Sequence, residues 1–185
     1  MPSFGAPAAR LVVVGLAPGL RGANRTGRPF TGDYAGEVLY PVLLRHGFAR
    51  GRFAADPQDG LELVDCRIAN AVRCVPPANR PTPAEIATCR RFLVDELGGA
   101  AAPRAILALG RIAHESTLRA LGLRLRAHPF AHGAWHRLPT GQLLVASFHT
   151  SRYNINTGRL TVAMFDAVVA RLAAELRPGR APLSG

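Results

Sequence analysis

Four short apolar runs, separated by stretches of helical period, constrain the fold of this chain more than any other feature. Residues 11–15 (LVVVG), 64–72, 105–110 (AILALG) and 142–148 (QLLVASF) are too short and too continuously apolar for exposed helices. They suit strands covered on both faces, as in a parallel sheet. Between them, Thr82-Pro83-Ala84-Glu85 supplies a cap, a first-turn proline and a reciprocal glutamate, which predicts a helix start. Ile86, Cys89, Leu93 and Leu97 then share one face. A helix is expected after Asp33, with Val38, Leu39, Val42 and Leu43 inward, an end near Gly47 and a kink position at Pro41. Residues 112–121 give a shorter helix, and Phe165, Val168, Val169, Leu172 and Leu176 mark the stripe of a last one. Strands alternating with helices require right-handed crossovers and a mainly parallel sheet. Ligands in such folds bind beyond the carboxyl ends of the strands, so the loops after Gly15, Val72, Gly110 and Phe148 are the ones to inspect.

The 185 residues suit one domain, 1–185, with loose ends over about 1–9 and 178–185. Charge points to a partner. There are 23 Lys+Arg against 12 Asp+Glu, a formal net charge of +11, which favours a polyanion because neutralised phosphates release counterions. An arginine-biased coding sequence is the alternative reading. The apolar stretch 11–17 is too short to span a bilayer and lacks the basic start of a signal peptide. Three cysteines (Cys66, Cys74, Cys89) do not make a secreted disulfide framework. A soluble cytoplasmic protein without a membrane partner is expected.

The first of these loops is the most informative. GLAPGLRGANRTGRPFTGD, residues 15–33, carries five glycines, two prolines, three arginines (Arg21, Arg25, Arg28), Asn24, Phe30 and Asp33. Glycines let backbone approach a ligand and prolines stiffen the path. Long loops in compact domains are usually functional. Neither a Walker sequence nor a dinucleotide fingerprint is present. From the residues alone the loop is a pocket for a nucleotide-like ligand, a phosphate site or an irregular connection.

This stretch resembles the first motif of the family 5 (type-5) uracil-DNA glycosylases. The resemblance continues in order through ANAVRCVPPANRPTPAE, HPFAHGA and SFHTSRYNINTGRLT. Family 4 relatives carry an acidic residue in the first motif where this chain has Leu16-Ala17, which favours family 5. The resemblance implies a three-layer α/β/α sandwich around a central four-stranded parallel sheet. It also implies a DNA-repair enzyme of base excision repair that acts as a monomer. The activity implied is monofunctional: uracil, with hypoxanthine or other deaminated bases as further candidates, is flipped out and its N-glycosidic bond hydrolysed, leaving an abasic site in an uncut strand. A non-catalytic DNA-binding module of the same fold is the alternative.

The resemblance also implies roles. Gly15, Leu16, Ala17, Pro18, Gly19 and Asn24 would shape the base pocket, Phe30 would stack on the base, and Asn70 would hydrogen-bond its edge. A core aromatic and a turn-capping asparagine are the other readings of those two. His149 would act electrostatically on the leaving base, a structural or phosphate-facing histidine being the other reading. Asp33 has two readings, a catalytic carboxylate or a helix cap. Arg25, Ser151, Arg152, Tyr153, Asn154 and Arg159 would contact DNA. Cys74 and Cys89 match half of a 4Fe–4S site, for which four thiolates are normally required. The family's other two cysteines lie before the first strand, where this chain has none, so a shortened N-terminus is expected. Cys66 reads as a core thiol.

Overall fold

A computed structural model describes residues 1–20, 22–77 and 80–177. Arg21 and the 178–185 end therefore lie outside the described residues. Six strands form one sheet. Its centre is four parallel strands in the order β5 (Cys66–Asn70), β2 (Leu11–Gly15), β6 (Ala105–Leu109) and β8 (Leu143–Ser147). Two short strands run antiparallel at the edges: β1 (Phe4–Gly5) beside β5 and β7 (Trp135–Arg137) beside β8. A separate two-stranded ribbon pairs β3 (Ala49–Arg50) with β4 (Glu62–Leu63).

The helices are α1 (Ala23–Thr26), α2 (Tyr34–Arg45), α3 (Pro83–Leu97), α4 (Arg111–Ala120), α5 (Arg152–Asn156) and α6 (Val162–Glu175). Strand alternation sorts the core into two halves. Leu11, Val13, Ile68, Leu107 and Val145 face α2 and α6 through Leu39, Leu43, Phe165 and Leu172. Val12, Val14, Ile106, Ala108 and Leu144 face α3 and α4 through Leu93, Leu97, Ala113 and Leu118. This is the expected three-layer arrangement. The capping box forms as well: Glu85 N donates to Thr82 Oγ1 at 3.2 Å and Thr82 N to Glu85 Oε2 at 2.6 Å. Cys66 is fully buried in β5, and burial pushes its thiol pKa up.

The expected central four-stranded parallel sheet is present, and two edge strands of two and three residues extend it, too short for any period to register. Two expectations need correction. The N-terminal residues are not loose: Phe4 and Gly5 pair with Ile68 and Arg67, the Arg67 guanidinium donates to the Gly5 carbonyl, and Ala9 is buried. The run 64–72 is a strand only over its middle. Asp65 sits at φ +50 and Val64 N bonds Phe48 O, outside the sheet.

Candidate active site

The order β5-β2-β6-β8 reverses direction beside β2, because β5 follows β2 in the chain on one side and β6 on the other. A crevice opens at such a point beyond the strand ends. Here it is a cavity of about 770 Å³. The loop after β2 supplies most of its wall through Leu16, Ala17, Pro18, Gly19, Phe30 and Asp33, Asn70 comes from the end of β5, and His149, Ser151 and Arg152 follow β8. The loop is anchored to its neighbour, since Ala71 N and Val72 N donate to Gly15 O and Leu16 O, each at 2.9 Å.

Gly15 shows why a glycine is needed at the strand end. A Cβ there would lie 2.7 Å from Phe30 Cζ and closer still to Asn70 Oδ1. Without it, the Phe30 ring and the Asn70 amide share the floor of the cavity. Asn70 is 8% exposed, and its Oδ1 has no hydrogen-bond partner among the described residues. Leaving such a group unpaired costs ~1–3 kcal/mol, a cost a bound ligand would offset.

The Phe30 ring lies 5.9 Å from the His149 ring at 30°. His149 is held by its own backbone, as Asn154 Nδ2 donates to His149 O at 2.8 Å. Burial pushes the His149 pKa down, with the nearby Asp33 charge opposing it. The imidazole is therefore neutral near pH 7 and has a ring N–H to donate. Asp33 is the N-cap of α2, where Gly36 N donates to its Oδ1 at 3.2 Å. Asp33 also lines the cavity, with Oδ2 turned toward Gly19 and Gly22. The two roles read from the sequence are compatible in one side chain.

Not every candidate reaches the cavity. Asn24 and Arg25 lie exposed on α1, and Asn24 is not part of the lining. Ser151 caps α5 by accepting from Asn154 N. The Arg152 guanidinium lies 5.1 Å over the Tyr34 ring at the rim. Tyr153 is 70% exposed. The Asn154 amide turns inward, as described. Arg159 lies 4.6 Å over Phe148. Cys74 is exposed and Cys89 half-buried. Among the described residues no third thiol, imidazole or carboxylate completes a metal-ligating group.

Sequence reasoning missed two residues. Tyr34 lines the cavity, but the sequence shows it only as the first residue of a helix. Arg28, which the sequence shows only as one of three arginines in the loop, is 5% exposed and bonded to Asp59 through both terminal nitrogens at 2.8 Å. Ala54 N and Leu61 N also donate to Asp59. Arg28 Nε donates to Thr31 Oγ1, and the Tyr40 hydroxyl donates to Pro29 O. Phe30 sits between these anchors at φ +53. That left-handed conformation costs a non-glycine residue ~1–3 kcal/mol and persists only where its surroundings over-determine it.

A family model for the uracil DNA glycosylase superfamily matches residues 2–173. A type-5 uracil-DNA glycosylase of Thermus thermophilus is 51% identical over 165 residues, covering 89% of this chain and 75% of that protein. A type-5 uracil-DNA glycosylase of Mycobacterium leprae is 44% identical over 170 residues, covering 91% and 74%. A type-4 uracil-DNA glycosylase of Pyrobaculum aerophilum is 34% identical over 125 residues, covering 67% and 56%.

Proposed function

The chain belongs to the uracil DNA glycosylase superfamily and, within it, to the type-5 enzymes, and from that membership we propose that its cavity is the pocket in which a flipped base is cut from its sugar. As a member of that family it excises uracil from DNA. The observation that carries the pocket reading is the convergence of Phe30, the unpartnered Asn70 amide and the neutral His149 on one cavity. This convergence disfavours a non-catalytic DNA-binding module.

A base inside a duplex is out of reach, so it must be extruded at a cost of a few kcal/mol in stacking and pairing. Phe30 offers it a face, and Asn70 offers both a donor and an acceptor to its edge. As the glycosidic bond breaks, positive charge grows on the sugar and negative charge on the leaving base. A neutral imidazole fixed near the base oxygen stabilises the latter by donation. Asp33 lines the same cavity, and its carboxylate is assigned to orient water or to offset the sugar cation. The cavity volume of about 770 Å³ leaves room for a bicyclic base such as hypoxanthine as a further substrate. All 23 basic side chains counted as Lys+Arg are arginine, so no lysine is present to form a Schiff base with the abasic sugar. That supports hydrolysis without strand cleavage. Arg152, Tyr153 and Arg25 are exposed, and Arg152 also lines the cavity; these side chains are assigned to the DNA strands. Action as a monomer is part of this proposal, and a DNA substrate suits the cytoplasm.

The family implies a 4Fe–4S cluster. Cys74 and Cys89 supply two thiols where four are needed, and the described residues do not complete the set.

The test is a uracil-containing duplex incubated with the protein and then treated with alkali. Strand scission only after alkali is expected. Binding without alkali-labile sites would leave a DNA-binding module, and scission without alkali would mean a lyase. Asp33 is separable in the same assay. Asp33→Ala is expected to lower single-turnover excision far more than DNA affinity, and unchanged excision at saturating enzyme would remove Asp33 from the chemistry.

A further inference from the structure

α2 carries a glycine that weakens it. Gly36 is the third residue of the helix and is buried, a place where glycine is less favourable than alanine. What the glycine permits is visible across the turn. A Cβ at position 36 would fall onto the Phe30 carbonyl oxygen and lie 2.8 Å from the carbonyl carbon. These are backbone atoms, so no side chain can swing aside to make room.

Nor can the Phe30 peptide retreat. The residues before it are tied by Arg28 to Asp59 and by Pro29 O to the Tyr40 hydroxyl. Thr31, after it, is fully buried and bonded to Arg28. The ring itself already closes on Gly15. Any group added at position 36 must therefore be accommodated by rotating the Phe30 peptide, and the ring turns with it. Gly36 N also donates to both the Asp33 side chain and the Asp33 carbonyl, each at 3.2 Å.

We propose that Gly36 is a positioning residue for base excision: its missing side chain lets the Phe30 carbonyl seat against α2 and so holds Phe30 in the left-handed conformation that aims its ring into the cavity. The inference rests on the reading of Phe30 as the surface on which the base stacks. Gly36 is not among the residues lining the cavity and acts through Phe30, with its N–H steadying Asp33. The weakened helix turn is the cost of the close approach.

A double-mutant cycle on the full chain tests this. Single-turnover excision rate, DNA affinity and melting temperature are measured for the parent, Gly36→Ala, Phe30→Ala and the double variant. Misplacing a reacting group by about 1 Å can cost ~100-fold in rate, and a loss of that order is expected for Gly36→Ala, with DNA affinity unchanged. In the Phe30→Ala background the same change is expected to cost nothing further, the non-additivity of two residues acting as a unit. A purely structural Gly36 would instead lower melting temperature and leave the folded molecules excising at the parent rate. Parent-like excision by Gly36→Ala, or an equal loss in both backgrounds, overturns the proposal. Normal excision by Phe30→Ala overturns the stacking reading instead. Should Gly36→Ala fail to fold, Phe30→Gly is added to it, because glycine tolerates the displaced backbone. Recovery of folding places the clash at the Phe30 peptide as proposed, and no recovery refutes it.

Discussion

His149→Ala is expected to lower the single-turnover rate of uracil excision by ~100- to 1,000-fold, the range seen when one preorganised donor to a developing anion is removed. Binding to uracil-containing duplex should change little. His149 stands beside Phe30 in the cavity, and its backbone carbonyl is tethered by Asn154. Burial keeps it neutral, so it can donate a hydrogen bond without first carrying a charge into the site. The pH profile carries the same sign. Burial lowers the pH at which His149 protonates, so loss of rate from its protonation should fall on the acid side of the ordinary histidine value of ~6.5. If His149→Ala excised at the parent rate, the electrostatic role would be lost even with the pocket reading intact.

The largest effect on stability is expected at Asp59. Its carboxylate and the Arg28 guanidinium are 2% and 5% exposed and doubly bonded. Removing one partner of a buried pair strands the other charge and costs ~3–5 kcal/mol. Asp59→Ala should therefore lower the melting temperature by on the order of 10 °C for a chain of this size. It should also loosen the segment on either side of Phe30, so excision falls together with stability. The hydrogen bonds from Arg28 hold the Asp59 pKa well below the ordinary aspartate range. A folded-state pKa below the unfolded one means stabilisation that is complete above pH ~5, begins to fade near the unfolded value of ~3.9 and is lost as pH falls further toward the folded value. The parent should thus lose melting temperature on acidification over that window more steeply than Asp59→Ala. Equal slopes and equal melting temperatures would show that the pair contributes nothing.

What could be read in the sequence was local. Thr82 and Glu85 lie three residues apart, so their capping box forms as expected. The four central strands were legible because each carries five consecutive buried residues, or four of five in β5. The edge strands were not, since Phe4–Gly5 and Trp135–Arg137 owe their form to neighbours across the sheet. The same division runs through the site. Phe30, Asn70 and His149 were named from motif order, and the fold brings all three to one cavity. The role of Arg28 was not legible because its partner, Asp59, is 31 residues away. Asn154 was expected at DNA, yet its amide bonds a backbone carbonyl five residues earlier, which only the geometry of the turn reveals. Gly36 reads as an ordinary helix residue until the Phe30 carbonyl is seen against it.

The central claim is that the cavity receives the excised base. The most direct measurement is a crystal structure of the protein with a duplex carrying a non-hydrolysable 2′-fluoro deoxyuridine. The account predicts uracil flipped into the cavity, its face on Phe30, its edge bonded to the Asn70 amide and an oxygen within hydrogen-bond reach of His149. A flipped base seated elsewhere, or a base in the cavity that contacts neither Asn70 nor His149, would contradict it.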